Sequence, residues 1–214
     1  EDIAIDGDLD ITSNITIQGD SAATTILDGN QLDRLFEVWQ SGDLFLRNVT
    51  LRNGLADVGG AIRSNQGSID IRDSVLSNNR ATIRGGAIEI QGVSGDVLGV
   101  YHTTLSNNLA NGTANPGTPS GNGIGGAISA SGAIQVTLSE AVLASNMAAG
   151  EGGAVDSRSL ASLQIVSSRF TGNQAAAGGA IRLYSTPASI TDTSFNGDNA
   201  TATGGAIRSN YSNI

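Results

Sequence analysis

Apolar and polar residues alternate one by one at the start of the chain. Ile3, Ile5, Leu9, Ile11, Ile15 and Ile17 hold odd positions, while Asp2, Asp6, Asp8, Asp10, Thr12, Asn14, Thr16 and Gln18 hold even ones. A strand sends successive side chains to opposite faces, whereas a helix would spread both sets around its circumference. The stretch is therefore read as strand. The alternation returns in short runs at Leu44-Phe-Leu46, Ser68–Arg72, Ile134–Leu138 and Leu163–Val166. Each run is expected to be a strand with one buried face.

These runs belong to a repeat. Gly-Gly-Ala-Ile/Val begins at Gly59, Gly85, Gly125, Gly152, Gly178 and Gly204, with spacings of 26, 40, 27, 26 and 26. The long interval is one repeat plus about 14 residues, assigned to a lateral loop at Asn111–Ile124 that holds two of the three prolines. Ahead of each tetrapeptide stands a large apolar residue followed by Asn: Leu76/Asn79, Leu105/Asn108, Leu143/Asn146 and Phe170/Asn173. The first copy, Leu51/Asn53, reads one residue short, and the last, Phe195/Asn199, one residue long.

A unit of about 26 residues cannot bury its own apolar face, but identical coils stacked on one another can. The fold class is thus expected to be all-β: a right-handed parallel β-helix of about eight coils in a single domain. Its opening coils would cover residues 1–43 and its repeat-bearing coils 44–214. Ile62, Ile88, Ile128, Val155, Ile181 and Ile207 would form one inward column. The glycine pairs (Gly59/Gly60, Gly85/Gly86, Gly125/Gly126, Gly152/Gly153, Gly178/Gly179, Gly204/Gly205) would turn the chain through positive φ. Asn79, Asn108, Asn146 and Asn173 would join amides along the axis. Arg63, Glu89, Ser129, Asp156, Arg182 and Arg208 would point outward as a solvated row.

With these motifs in place, the chain over residues 44–214 resembles the passenger repeats of polymorphic outer-membrane proteins. It is also similar to bacterial secreted proteins with the pectate-lyase-like β-helix. Only Phe170-Thr-Gly-Asn173 has the literal Phe-x-x-Asn form. The resemblance implies an extracellular or cell-surface location in a bacterium and an adhesive, non-catalytic role with a glycan or a cell-surface receptor as partner.

Composition narrows the chemistry. Aromatics make up 4 % of the chain, so the core must be thin and aliphatic. There is no Cys, hence neither disulfide nor thiolate metal site. All eleven cations are Arg and the net charge is −9, which argues against nucleic acid and against anionic membranes. No apolar run reaches the roughly 20 residues needed to span a bilayer. The chain opens on Glu1, as a processed or trimmed product would.

The sharpest catalytic candidates are Asp73, His102 and Glu140, which the repeat aligns on successive coils with Asn48, Ser167 and Asp192. An acid, a base and an acid in line could move a proton, as in a polysaccharide lyase or hydrolase. The bland reading is a turn position filled by polar residues, and it is preferred. Asp6, Asp8 and Asp10 share a face and are the weak candidates for Ca²⁺; otherwise no cofactor is expected. Trp39 is read as closing an apolar coil rather than as a sugar platform. Uncovered strand edges at the two ends suggest self-association end to end.

Overall fold

The computed structural model describes residues 7–40, 42–112 and 123–214. They wind as a parallel β-solenoid of about seven turns, a single domain without helix. Four parallel sheets run the length of the rod. A typical coil contributes four short strands, such as Ile88–Gly92, Val97–Tyr101, Thr104–Ser106 and Leu109–Ala110. The opening residues and the repeat-bearing residues share these sheets without a break, since Leu9 pairs with Phe36 and Phe36 with Ile62.

Register stacks like upon like. In the first sheet, Phe36, Ile62, Ile88, Ile128, Val155, Ile181 and Ile207 are successive partners. Ser64, Ile90, Ala130, Ser157, Leu183 and Ser209 form the companion column. In the third sheet, Leu27, Leu51, Leu76, Leu105, Leu143, Phe170 and Phe195 stack in the same way. The Phe170 and Phe195 rings lie 4.9 Å apart. Each buried Leu or Ile contributes about 2 kcal/mol by leaving water. Because every coil offers the same shape, no large aromatic is needed to fill the interior.

The two glycines of each motif do different work. The first, as at Gly85 (φ 64°) and Gly152 (φ 64°), takes the left-handed backbone that turns the fourth strand into the first sheet. The second does not have positive φ. Gly60, Gly86, Gly126, Gly153 and Gly179 are each pressed against the carbonyl of the equivalent glycine one coil on, where a Cβ would collide. Only the first glycine meets the turn requirement read from the sequence; the second is set by the distance between coils.

The asparagines form a continuous ladder. Nδ2 of Asn79, Asn108 and Asn146 donates to Oδ1 of Asn108, Asn146 and Asn173, each at 3.0 Å. Nδ2 also donates back to the carbonyls of Leu51, Leu76, Leu105 and Leu143. Oδ1 accepts a main-chain N–H from the coil before. All four amides are buried. The two irregular motif copies prove regular in space. Gly54 holds the first ladder position, donating its N–H to Asn79. Asp198 rather than Asn199 holds the last, accepting from Asn173.

Candidate functional site

Three groupings of chemically capable side chains stand out, and backbone geometry explains each before function does. The first is the turn between the second and third sheets. Asn48, Asp73, His102, Glu140, Ser167 and Asp192 occupy it on successive coils, with φ between 47° and 53°. The left-handed region there is favoured by Asn, Asp and His among residues with a side chain. Asp73, His102 and Glu140 are brought together. His102 Nε2 lies 3.2 Å from Glu140 and Nδ1 3.8 Å from Asp73. All three side chains are more than half exposed, at 54–58 %. They stand in line on successive coils, on an exposed bend.

The second grouping is acidic. Asp8, Asp10 and Glu37 can each place an oxygen within 4.8 Å of the others; Asp6 lies outside the described residues. Cations already serve these carboxylates. Arg34 binds Asp8 at 2.6 Å and Glu37 at 2.9 Å, and Arg63 binds Glu37 at 2.9 Å. Asp10 accepts the Trp39 indole N–H at 2.9 Å. A Ca²⁺ there would have to sit against two guanidinium groups, so the cluster is better described as an ion-pair network. Trp39 itself lies on the outer face, 41 % exposed, and not inside a coil as the sequence suggested; Phe36 is the ring that closes that coil.

The third grouping is the outward row of the first sheet, and it departs from expectation. Asp10, Glu37, Arg63, Glu89, Ser129, Asp156, Arg182 and Arg208 are in register. The row is not a solvated face: Glu89 is 1 % exposed, Asp156 0 % and Arg182 8 %. Strand alternation gives a side chain's direction but not what stands beside it. The turn at the first glycine sets the residue before it, Arg84 or Glu151, next to the row and shields it. Arg84 Nε meets Glu89 at 3.1 Å, and Glu151 reaches Arg182 and Arg208 at 3.0 Å. Arg158 and Arg182 hold Asp156 at 2.8 and 3.0 Å.

Burial raises the Glu89 carboxyl above its ordinary range despite the pull of Arg84 and Arg63. It raises Asp156 too, outweighing Arg158 and Arg182. A carboxyl raised in the folded state binds protons there before it does in the unfolded chain. The penalty for charging it is full above the raised value and is relieved as pH falls toward the ordinary one. Asp156→Asn cannot benefit from that relief. The melting-temperature advantage of the natural chain over Asp156→Asn should therefore widen as pH falls from neutral into that window. An advantage that shrank with falling pH would contradict this account.

Between the two ion-pair clusters the charged row is interrupted. The coil that begins at Ile124 carries Ile124, Ser129 and Ser131 where its neighbours carry Arg84, Glu89 and Gln91 on one side and Glu151, Asp156 and Arg158 on the other. Small residues between long ones leave a pit of about 220 Å³ lined by Arg84, Gln91, Ile124, Ser129, Ser131 and Arg158. Of these, the sequence pattern marks Ser129 as an outward position and Ile124 as the end of the loop. Of the predicted loop, residues 113–122 lie outside the described residues, while Ile124, where it returns, forms one wall of the pit. Set against known protein families, curated proteins and solved structures, the chain matches none.

Proposed function

We propose that the chain is a non-catalytic scaffold of an extracellular or cell-surface protein, bacterial and of the polymorphic-outer-membrane kind. Its working parts in this reading are the outer faces and the ends of the rod. The observation that carries it is the setting of Asp73, His102 and Glu140. The one acid–base–acid line read from the sequence stands on an exposed bend whose left-handed φ accounts for Asp73 and His102. Efficient proton transfer needs a group held against a bound substrate in a dry, shaped site.

Self-association belongs to the same reading. The strands Ala188–Thr191, Ser194–Asn196, Asn199–Thr203 and Ile207–Asn210 are bonded to strands on one side only. Ile190, Phe195 and Ile207 are only partly buried there. Such a face accepts a further coil, whichever chain supplies it. Seven rungs make each chain about 35 Å long, so stacked copies would appear in negative stain as rods of several times that length.

The rival reading is a polysaccharide-binding or polysaccharide-cleaving β-helix, cleavage being favoured by the 3.2 Å approach of His102 to Glu140. Assays on acidic polysaccharides, with and without Ca²⁺, decide between the two. The scaffold reading expects no turnover, and the same background for His102→Ala. Turnover by the natural chain that His102→Ala abolishes would replace the scaffold with an enzyme.

A further inference from the structure

An Asn-Gly pair can modify itself, because the glycine nitrogen is able to attack the Asn side-chain carbonyl carbon with no Cβ in the way. The sequence has four such pairs: Asn53-Gly54, Asn111-Gly112, Asn122-Gly123 and Asn196-Gly197. Asn122 lies outside the described residues. Two of the other pairs are guarded. Gly54 is buried and donates its N–H to the ladder amide of Asn79 at 2.9 Å, while the Asn53 amide donates to Asp28 at 2.9 Å. Gly112 is also buried, and Asn111 Oδ1 accepts the Arg80 Nε–H at 3.2 Å. Asn196-Gly197 has neither guard. The left-handed residue at the corner between the third and fourth sheets is Asn53, Asn78, Asn107, Ser145, Gly172 and Gly197 on successive coils. On every coil but the last its main-chain N–H donates to the coil that follows: Asn53 to Ser77, Asn78 to Ser106, Asn107 to Ala144, Ser145 to Thr171 and Gly172 to Asn196. The strand Ser194–Asn196 is the outermost of its sheet, so the Gly197 N–H finds no such acceptor among the described residues. The Asn196 side chain is exposed and makes no hydrogen bond among the described residues. Beyond its chain neighbours, a Cβ on Gly197 would meet only the Gly172 nitrogen, at 3.9 Å. A strand bonded on one side, with open space around it, opens locally at the least cost, and the ring closure needs such opening.

From this contrast we infer that Asn196 is a site of spontaneous deamidation, and that the coil stacking protects Asn53 and Asn111 from the same reaction. The Gly197 nitrogen gives its proton to base and bonds to Asn196 Cγ. The Cγ–Nδ2 bond breaks, ammonia leaves with a proton returned by the base, and a succinimide ring is closed. Water then opens the ring at one of its two carbonyls. One opening gives aspartate; the other gives isoaspartate, in which the main chain runs through the former side chain. The net change is amide plus water to carboxylic acid plus ammonia, so water is the only co-reactant. The new carboxylate stands two residues from Asp198, on the outer edge of the third sheet. A charge on a strand edge discourages a further strand from pairing there, and isoaspartate also lengthens the main chain by one carbon. The reaction therefore limits how long that edge can accept a further coil. This consequence rests on the self-association reading; the site itself does not.

The test is to hold the full chain in mildly alkaline buffer for weeks, folded and in denaturant, and to map tryptic peptides by chromatography and mass spectrometry. In the folded chain, the peptide Leu183–Arg208 should gain the mass of an amide turned to acid and split into aspartate and isoaspartate forms. Conversion at Asn196 should be at least about tenfold faster than at Asn53 or Asn111, whose glycines must first leave the packed coils. In denaturant the three should convert at similar rates, since the sequence Asn-Gly is common to all. Asn196→Gln should abolish the gain in that peptide with the melting temperature unchanged. Conversion of Asn53 or Asn111 as fast as Asn196 in the folded chain would overturn the assignment. So would an Asn196 that converts in denaturant but not when folded, or a gain that persists in a folded Asn196→Gln, which would place the reaction at Asn199.

Discussion

Gly153→Ala should cost about 3 kcal/mol or more, while the same change at Gly205 should cost nothing. Both glycines are the second of their motif, and neither has positive φ. Any difference between them therefore comes from packing, not from backbone strain. A Cβ on Gly153 would run into the carbonyl of Gly179 and come within 2.7 Å of both the N and the O of Gln174, all of them backbone atoms of the next coil. Backbone cannot rotate away as a side chain can. The coil spacing would have to open locally, and the strand bonds around it with it. On Gly205 a Cβ meets nothing within 4 Å. There alanine also lowers the entropy of the unfolded chain, which favours the folded state by about 0.5 kcal/mol. Melting temperatures by circular dichroism measure both. Equal losses at the two sites would mean that the regular spacing of the glycine pairs reflects the turn alone.

That contrast marks what could be read in advance. The column from Ile62 to Ile207 was legible because a fixed motif spacing and an alternating pattern together set both register and facing. The amides of Asn79 to Asn173 were legible for the same reason. Gly54 and Asp198 were not, since neither carries the amide by which the ladder position is recognised. The burial of Glu89 and Asp156 was also out of reach. It depends on Arg84 and Glu151 standing beside the row after a left-handed glycine, a relation between strands of different sheets. The line of Asp73, His102 and Glu140 was legible as a line but not as an exposed bend. The pit was within reach. Aligning the residue before each Gly-Gly with those five and seven positions after it sets Ile124, Ser129 and Ser131 between their longer neighbours. Strand alternation alone does not distinguish a short side chain facing solvent from one flanked by long neighbours.

The amide ladder gives the other large effect, through hydrogen bonds instead of volume. Asn146 accepts from the main-chain and side-chain N–H groups of Asn108 and donates to Leu105 and Asn173, every bond at 3.0 Å. Asn146→Leu keeps the volume but orphans two buried donors on Asn108, which should cost about 4 kcal/mol. Asn146→Asp is more telling. It preserves the acceptor and replaces the donor with an oxygen facing the Leu105 carbonyl and Asn173 Oδ1. At neutral pH two acceptors would then confront each other around a buried charge, so the loss should match or exceed that of the leucine. Protonation restores a donor. The folded carboxyl is thus raised above its unfolded value, and the deficit of Asn146→Asp should shrink as pH falls through that raised value. That of Asn146→Leu should not follow it. The natural chain contains the reverse case. Asp198 Oδ1 takes both N–H groups of Asn173, at 2.8 and 2.7 Å, while Oδ2 is buried without a partner. By the pattern of the other coils, an amide there would donate to the carbonyl of Phe170. Asp198→Asn should therefore stabilise the rod by about 1 kcal/mol. If instead it destabilised the chain while Asn146→Asp was tolerated at every pH, the directed run of amides would not be what holds that corner together.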